Sequence, residues 1–138
     1  MKVVLCDINL ILDIFLERGP FYAPAARIFA MIEAKHLKGY LCVNSFPTLF
    51  YILAKELKRD KAMKVLEKVR IVLRVAAVDE KVIDLSLASD FKDFEGAVQC
   101  YSAVNAKMDC LITRNKRDYA TDILPILTPE EFLAAIAV

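Results

Sequence analysis

The chain has 138 residues, with 19 lysines and arginines against 18 acids, a formal net charge of +1. That length makes one domain, 1–138, with room for a real core, and the near-neutral balance gives no overall field of the kind that draws a protein to nucleic acid. The hydrophobic fraction is high, 57%, but Asp13 and Glu17 interrupt the first apolar stretch before it reaches a membrane span, and Asp7 and Asn9 break the only signal-peptide-like run, so a cytoplasmic protein off the membrane is expected.

The first element is an apolar run over 2–6, strand-like in its Val, Leu and Cys content, which runs straight into Asp7-Ile8-Asn9. A second strand is expected over 40–43. The helix after it shows Phe50, Leu53, Ala54 and Leu57 at helical spacing. The next carries Ala62, Val65, Leu66, Val69, Val72 and Leu73, one apolar stripe. Between Lys55 and Arg74 eight basic residues face three acids, and this local excess reads either as two solvated helix faces or as an RNA-approach surface.

Further strands are expected over 75–78, 110–113 and 123–126. The fourth runs into Thr113-Arg114-Asn115-Lys116-Arg117-Asp118. The last helix announces itself through Thr128-Pro129-Glu130-Glu131, an N-cap hydroxyl, a first-turn proline and a capping-box glutamate. Alternating strands and helices predict an α/β fold, a three-layer α/β/α sandwich on a central parallel sheet. Right-handed crossovers then bring every strand's carboxyl end to one edge, where open sheets bind ligands.

Cys6, Cys42, Cys100 and Cys110 have no metal-site spacing, and three of them fall in apolar runs, so buried thiols are expected. The single histidine, His36, lies between Lys35 and Lys38 and reads as a solvated helix-end residue. No glycine-rich phosphate loop is present, since Gly19, Gly39 and Gly96 are the only glycines.

Asp7-x-Asn9 with Asp13, the segment Asp93-Phe94-Glu95-x-Ala97, and Thr113-Arg114-Asn115-x-x-Asp118-Tyr119 closing on Thr128-Pro129-Glu130-Glu131-Phe132 together resemble the PIN-domain family, VapC-like toxin ribonucleases included, in order and spacing over nearly the whole chain. The resemblance implies a magnesium- or manganese-dependent ribonuclease, the toxin of a toxin–antitoxin pair. It also implies RNA as substrate, an antitoxin as partner and a homodimer.

Hard divalent cations take oxygen ligands, lower the pKa of a bound water and offset charge on a phosphate under attack, which explains a site made of acids. By this resemblance Asp7, Asp93 and Asp118 are the catalytic acids, and Asp7, Asp93, Glu95 and Asp118 the metal ligands. Asn9, Thr48, Thr113 and Asn115 position them, and Arg114, Lys58 and Lys61 meet RNA. Asp13, one and a half turns beyond Asp7, is expected to point away and stay solvated.

Two family acids have neutral residues in their place. Thr48 stands where a glutamate is usual, with Asn44 and Ser45 the other polar candidates close by, and Gly96 stands where the pattern Asp-Phe-Glu-Asp-Ala has its second aspartate. The competing expectation is therefore a PIN-like domain that has lost catalysis and binds RNA or protein.

Overall fold

Val3–Cys6 forms β1 because its β-favouring side chains are apolar on both faces, and three of the four are buried. The computed structural model describes residues 1–137, and around β1 it builds a five-stranded sheet in the order β3-β2-β1-β4-β5 with every pairing parallel. The other strands are β2 (Lys38–Cys42), β3 (Arg74–Ala76), β4 (Cys110–Ile112) and β5 (Ile126–Leu127). The helices are α1 (Ile8–Phe15), α2 (Tyr22–Glu33), α3 (Ser45–Leu57), α4 (Arg59–Val72), α5 (Glu80–Leu87), α6 (Phe94–Asn105) and α7 (Pro129–Ile136). Short 3-10 turns occupy Gly19–Phe21 and Lys116–Tyr119. The three-layer parallel architecture expected from the sequence is the one observed.

Side-chain alternation along β1 divides the core. Val4 and Cys6 face one side, with Leu41 and Ile112, against Leu10, Ile28, Leu49, Leu53, Val69 and Phe132 from α1, α2, α3, α4 and α7. Leu5 and Leu111 face the other side, against Cys100 and Ala103 of α6 and the ring of Tyr119. The helix α5 leans on α6. Asp79 caps α5 by accepting the Val82 N–H at 3.0 Å, and Ser102 of α6 donates to the Ala77 carbonyl at 2.7 Å, which ties that layer to the end of β3.

One strand lies off its expected place. Of the expected run 123–126 only Ile126 pairs, joined by Leu127 as β5. Pro125 has no N–H to give, so the ladder uses its carbonyl alone, which accepts the Leu111 N–H at 3.0 Å. At α7 the capping box forms as expected: Thr128 Oγ1 accepts the Glu131 N–H at 3.1 Å and Glu131 Oε1 accepts the Thr128 N–H at 2.9 Å.

The strand order has a functional consequence. The chain lays β1, β2 and β3 outward in one direction, then returns to place β4 on the other side of β1. The sheet therefore reverses between β1 and β4, and a crevice opens beyond their carboxyl ends. Asp7 follows β1 and Thr113 follows β4, so both stand at that reversal.

Candidate active site

Asp7 is 4% exposed. It holds the N-cap position of α1, but no side-chain capping bond to that helix is formed. The carboxylate is turned across the crevice instead. Oδ2 accepts from the Thr113 hydroxyl at 2.8 Å and from Asn9 Nδ2 at 3.5 Å, and Oδ1 accepts from the Tyr119 hydroxyl at 3.2 Å. The direction of the Thr113 bond is set by its neighbour. The Asn115 N–H donates to Thr113 Oγ1 at 3.0 Å, which leaves the hydroxyl proton for Asp7. Asn115 thus acts here through its main chain.

Asn9 is oriented by a guanidinium. Arg18 Nη1, which can only donate, reaches Asn9 Oδ1 at 3.4 Å, so the amide turns its Nδ2 toward Asp7. Burial pushes the Asp7 carboxyl above the ordinary range, opposed by its bonds from Thr113, Asn9, Tyr119 and the Ile8 N–H. Burial, with the charge of Asp7 and the hydrogen bond to it, holds the Tyr119 phenol far above its usual range, so Tyr119 is the donor in their bond.

Across the crevice stand Asp93 and Glu95. Asp93 occupies the N-cap position of α6 without making a capping bond, and Glu95 lies in the first turn. Partial burial, then the charges of Asp93 and Asp7, raise the Glu95 carboxyl. Glu95 thus senses the charge of both other acids, and none of the ion pairs among the described residues involves the three. The structure thus brings Asn9 and Thr113 onto Asp7, with Glu95 near enough to feel its charge, and among the described residues does not group the acids further.

Other expected site residues are placed differently. Thr48 is exposed, and its hydroxyl turns back onto the Asn44 carbonyl at 3.4 Å, one turn earlier in its own helix. Arg114 is not free for RNA. It binds Asp13 through Nε at 2.9 Å and Nη2 at 3.3 Å, and its guanidinium lies 4.1 Å over the ring of Phe21. Asp13, expected to be solvated, is 2% exposed and pairs also with Arg18 at 3.7 Å. The reason is geometric: α1 leaves β1 into the core, so the later turn of the helix buries whichever polar residue it carries.

Asp118 keeps its side chain exposed and lines a shallow cavity with residues 114–117 and Thr128. Its main chain approaches the site instead: a Cβ built on Gly96 would stand 2.5 Å from the Asp118 carbonyl oxygen. Lys58 and Lys61 are exposed at the α3–α4 junction, in no ion pair among the described residues, beside Lys55 over Tyr51 and Arg59 over Phe50. All four cysteines are buried and free, and burial carries Cys6 and Cys100 up to about 12, so they are inert thiols.

Sequence reasoning missed Tyr119 and Gln99, and had Ser45 only as a polar candidate beside Thr48. Tyr119 bears on Asp7 directly; its signal was an amphipathic aromatic in a polar segment, a body to bury and a hydroxyl to aim. Ser45 and Gln99 are buried with oxygens that have no partner, Ser45 opening α3 beyond β2 and Gln99 one turn after Glu95. Gln99 carries no signal in the sequence, because burial alone sets it apart; Ser45 was in view by its nearness to Thr48, and burial singles it out.

The donors suit a hard divalent cation in kind, being carboxylates without a cationic partner. They do not form a closed cage, since among the described residues no three acids are grouped to hold one ion.

A divided parallel sheet with an aspartate at its reversal and acids opposite defines a class of α/β domain, and comparison with known proteins identifies which. A family model described as PIN domain matches residues 3–117, and the chain belongs to the PIN-domain family. It is similar to a protein named Ribonuclease VapC1 from Aquifex aeolicus, 28% identical over 134 residues, 94% of this chain and 92% of the relative.

Among solved structures, a toxin–antitoxin complex from Klebsiella pneumoniae superposes with a TM-score of 0.69 at 20% identity, covering 91% of this chain and 97% of that one. DNA-bound VapBC from Salmonella typhimurium gives 0.69 at 15%, covering 94% and 99%. VapC20 of Mycobacterium tuberculosis, a sarcin-ricin loop cleaving toxin, gives 0.62 at 15%, covering 98% and 96%. At those identities the likeness is one of fold. No helix among the described residues is long and apolar enough to cross a membrane.

Proposed function

We propose that the chain is a ribonuclease of the VapC type, which hydrolyses RNA phosphodiesters and is held in check by an antitoxin protein. The observation that carries this reading is Asp7: a buried carboxylate at the sheet reversal, spared from helix capping, held by neutral donors and close enough to Glu95 for its charge to act there. The similarity to Ribonuclease VapC1 over nearly the full length of both chains supports it. So does the likeness in fold to toxin–antitoxin complexes.

In this reading Asp7, Asp93 and Glu95 would hold Mg2+ or Mn2+. A bound cation would supply an acidified water and charge to offset the phosphate under attack. Thr113 and Asn9 fix the rotamer of Asp7, Arg18 fixes Asn9, and the buried walls of β1 and β4 keep bulk water from the back of the carboxylate. Lys58 and Lys61, with Lys55 and Arg59, approach RNA phosphates. A cytoplasmic homodimer belongs to the same reading.

Manganese calorimetry followed by cleavage assays on an RNA panel tests it, with Asp7→Asn as the control. Saturable binding and cleavage, both lost in the variant, are expected. No manganese binding by the unaltered chain at millimolar concentration overturns the metal-dependent reading and leaves a binding module.

A further inference from the structure

The bonds to Asp7 are shared unequally between its two oxygens. Oδ2 is occupied twice, by Thr113 and Asn9, both on the elements that frame the crevice. Oδ1 has one side-chain partner, the Tyr119 hydroxyl. Oδ1 is thus the oxygen left for a ligand, and Tyr119 stands on it.

What lets Tyr119 reach that oxygen is the residue opposite. The 3-10 turn Lys116–Tyr119 lies so close to α6 that a Cβ at position 96 would meet the Asp118 carbonyl oxygen at 2.5 Å and Asp93 Oδ2 at 3.2 Å. No side-chain carbon is found that near to a backbone oxygen. A side chain at 96 and the present position of the turn therefore exclude each other, and glycine is what allows the turn to close.

The turn is lightly held. On either side the chain is bonded into the sheet, where the Thr113 N–H reaches the Leu127 carbonyl and the Leu111 N–H the Pro125 carbonyl. Between those points the turn's backbone bond is local, Asp118 N–H to the Asn115 carbonyl at 3.1 Å. Lys116 pairs with Glu131 at the exposed surface. Tyr119 is the buried anchor, 4% exposed, with its ring in the apolar cluster that holds Leu5, Cys100 and Leu111.

We infer that Tyr119 is a latch on Asp7, occupying the oxygen a divalent cation would use, and that Gly96 is the residue that permits the latch to close. The inference rests on the cation-binding reading above. Cation and phenol then compete for one oxygen, so apparent affinity falls by the fraction of time the latch is open. Tyr119 is accordingly a positioning residue, and opening the latch requires the 116–119 turn to leave α6.

The test is manganese calorimetry on the purified chain and on Tyr119→Phe, with the Asp7→Asn/Tyr119→Phe double variant as control. The Phe variant keeps the ring anchor and removes only the hydroxyl. About tenfold tighter binding than in the unaltered chain, abolished in the double variant, is expected. Gly96→Ala should free the turn from α6, read as faster amide exchange at Asp118 and Tyr119; unchanged exchange overturns the part given to Gly96. Unchanged or weaker binding in Tyr119→Phe overturns the latch while leaving the cation reading in place, because the unaltered chain still binds. Silence in both the unaltered chain and Tyr119→Phe overturns both.

Discussion

Asp7 and Asp13 lie six residues apart at the two ends of one helix path, and both are almost wholly buried, at 4% and 2% exposure. Their surroundings differ in one respect. Asp13 is paired with two guanidiniums, Arg114 in a two-bond fork and Arg18 beside it. Asp7 has hydroxyls, an amide and a backbone N–H, and no positive charge. A buried carboxylate closed by arginines is finished as structure: it pins the loop after β4 to α1. One served only by neutral donors is left with its charge uncompensated, and burial raises its pKa accordingly. The difference separates the residue that organises the site from the residue that remains available to a ligand.

Exchanging each aspartate for asparagine breaks the comparison most sharply. Asp7→Asn removes a formal charge from the cation position, which should weaken manganese binding by about a hundredfold or more and take RNA cleavage with it. Asp13→Asn should leave manganese affinity nearly unchanged at a temperature where it is folded. Calorimetry on the two variants side by side checks this. A large affinity loss in Asp13→Asn with the fold intact would mean that Arg114 and Arg18 act on the site directly.

Stability should move in the opposite sense. Asp13→Asn leaves two guanidiniums without their carboxylate and should cost about 3 kcal/mol, the low end for a broken buried pair because both arginines reach solvent. Asp7→Asn removes an uncompensated buried charge and should raise stability by about 1–2 kcal/mol in the absence of divalent cation. Urea melts of the three chains decide the order. The gain at Asp7 also has a pH signature.

With its folded pKa raised above the unfolded value of 3.8, Asp7 contributes stability in full below that value, and loses it as pH climbs through the folded pKa. The unaltered chain and Asp7→Asn should therefore converge at the acid end and separate toward neutrality, with the variant the more stable. Curves that stay parallel across that range would show that the Asp7 pKa is the same in the folded and unfolded chain.

Asp7, Asn9 and Thr113 were legible in the sequence because each follows an apolar run, and the run's end in a parallel sheet is a known place. The acids of α6 were legible as a motif at a helix start. The Asp13–Arg114 pair was not, since its members stand 101 positions apart and only the docking of β4 on β1 brings them together. Thr48 was chosen by its register in a motif, whereas α3 is rotated so that Ser45, three residues earlier, carries the buried hydroxyl. Tyr119 was present in the quoted segment but without a role, because its partner is fixed by a tight turn and by the missing side chain at Gly96. Local pattern reports what a residue is for its own element, and tertiary contact decides which oxygen it meets.

Lys58 offers the smallest and most separable test of the same idea, that a cost kept in the fold marks a site. It joins α3 to α4 with φ 77° and ψ 159°, a conformation that belongs to glycine and is strained for a side-chain residue. A lysine retained there, beside Lys55, Arg59 and Lys61, is set against local backbone preference. Lys58→Gly should relieve the strain and raise stability by about 1 kcal/mol, read from the urea midpoint. If the lysine meets a phosphate, RNA affinity should fall with little regard to RNA sequence, and the slope of log affinity against log salt should shrink by about one. A gain in stability with an unchanged salt slope would leave the strain real but move the RNA path off the α3–α4 junction.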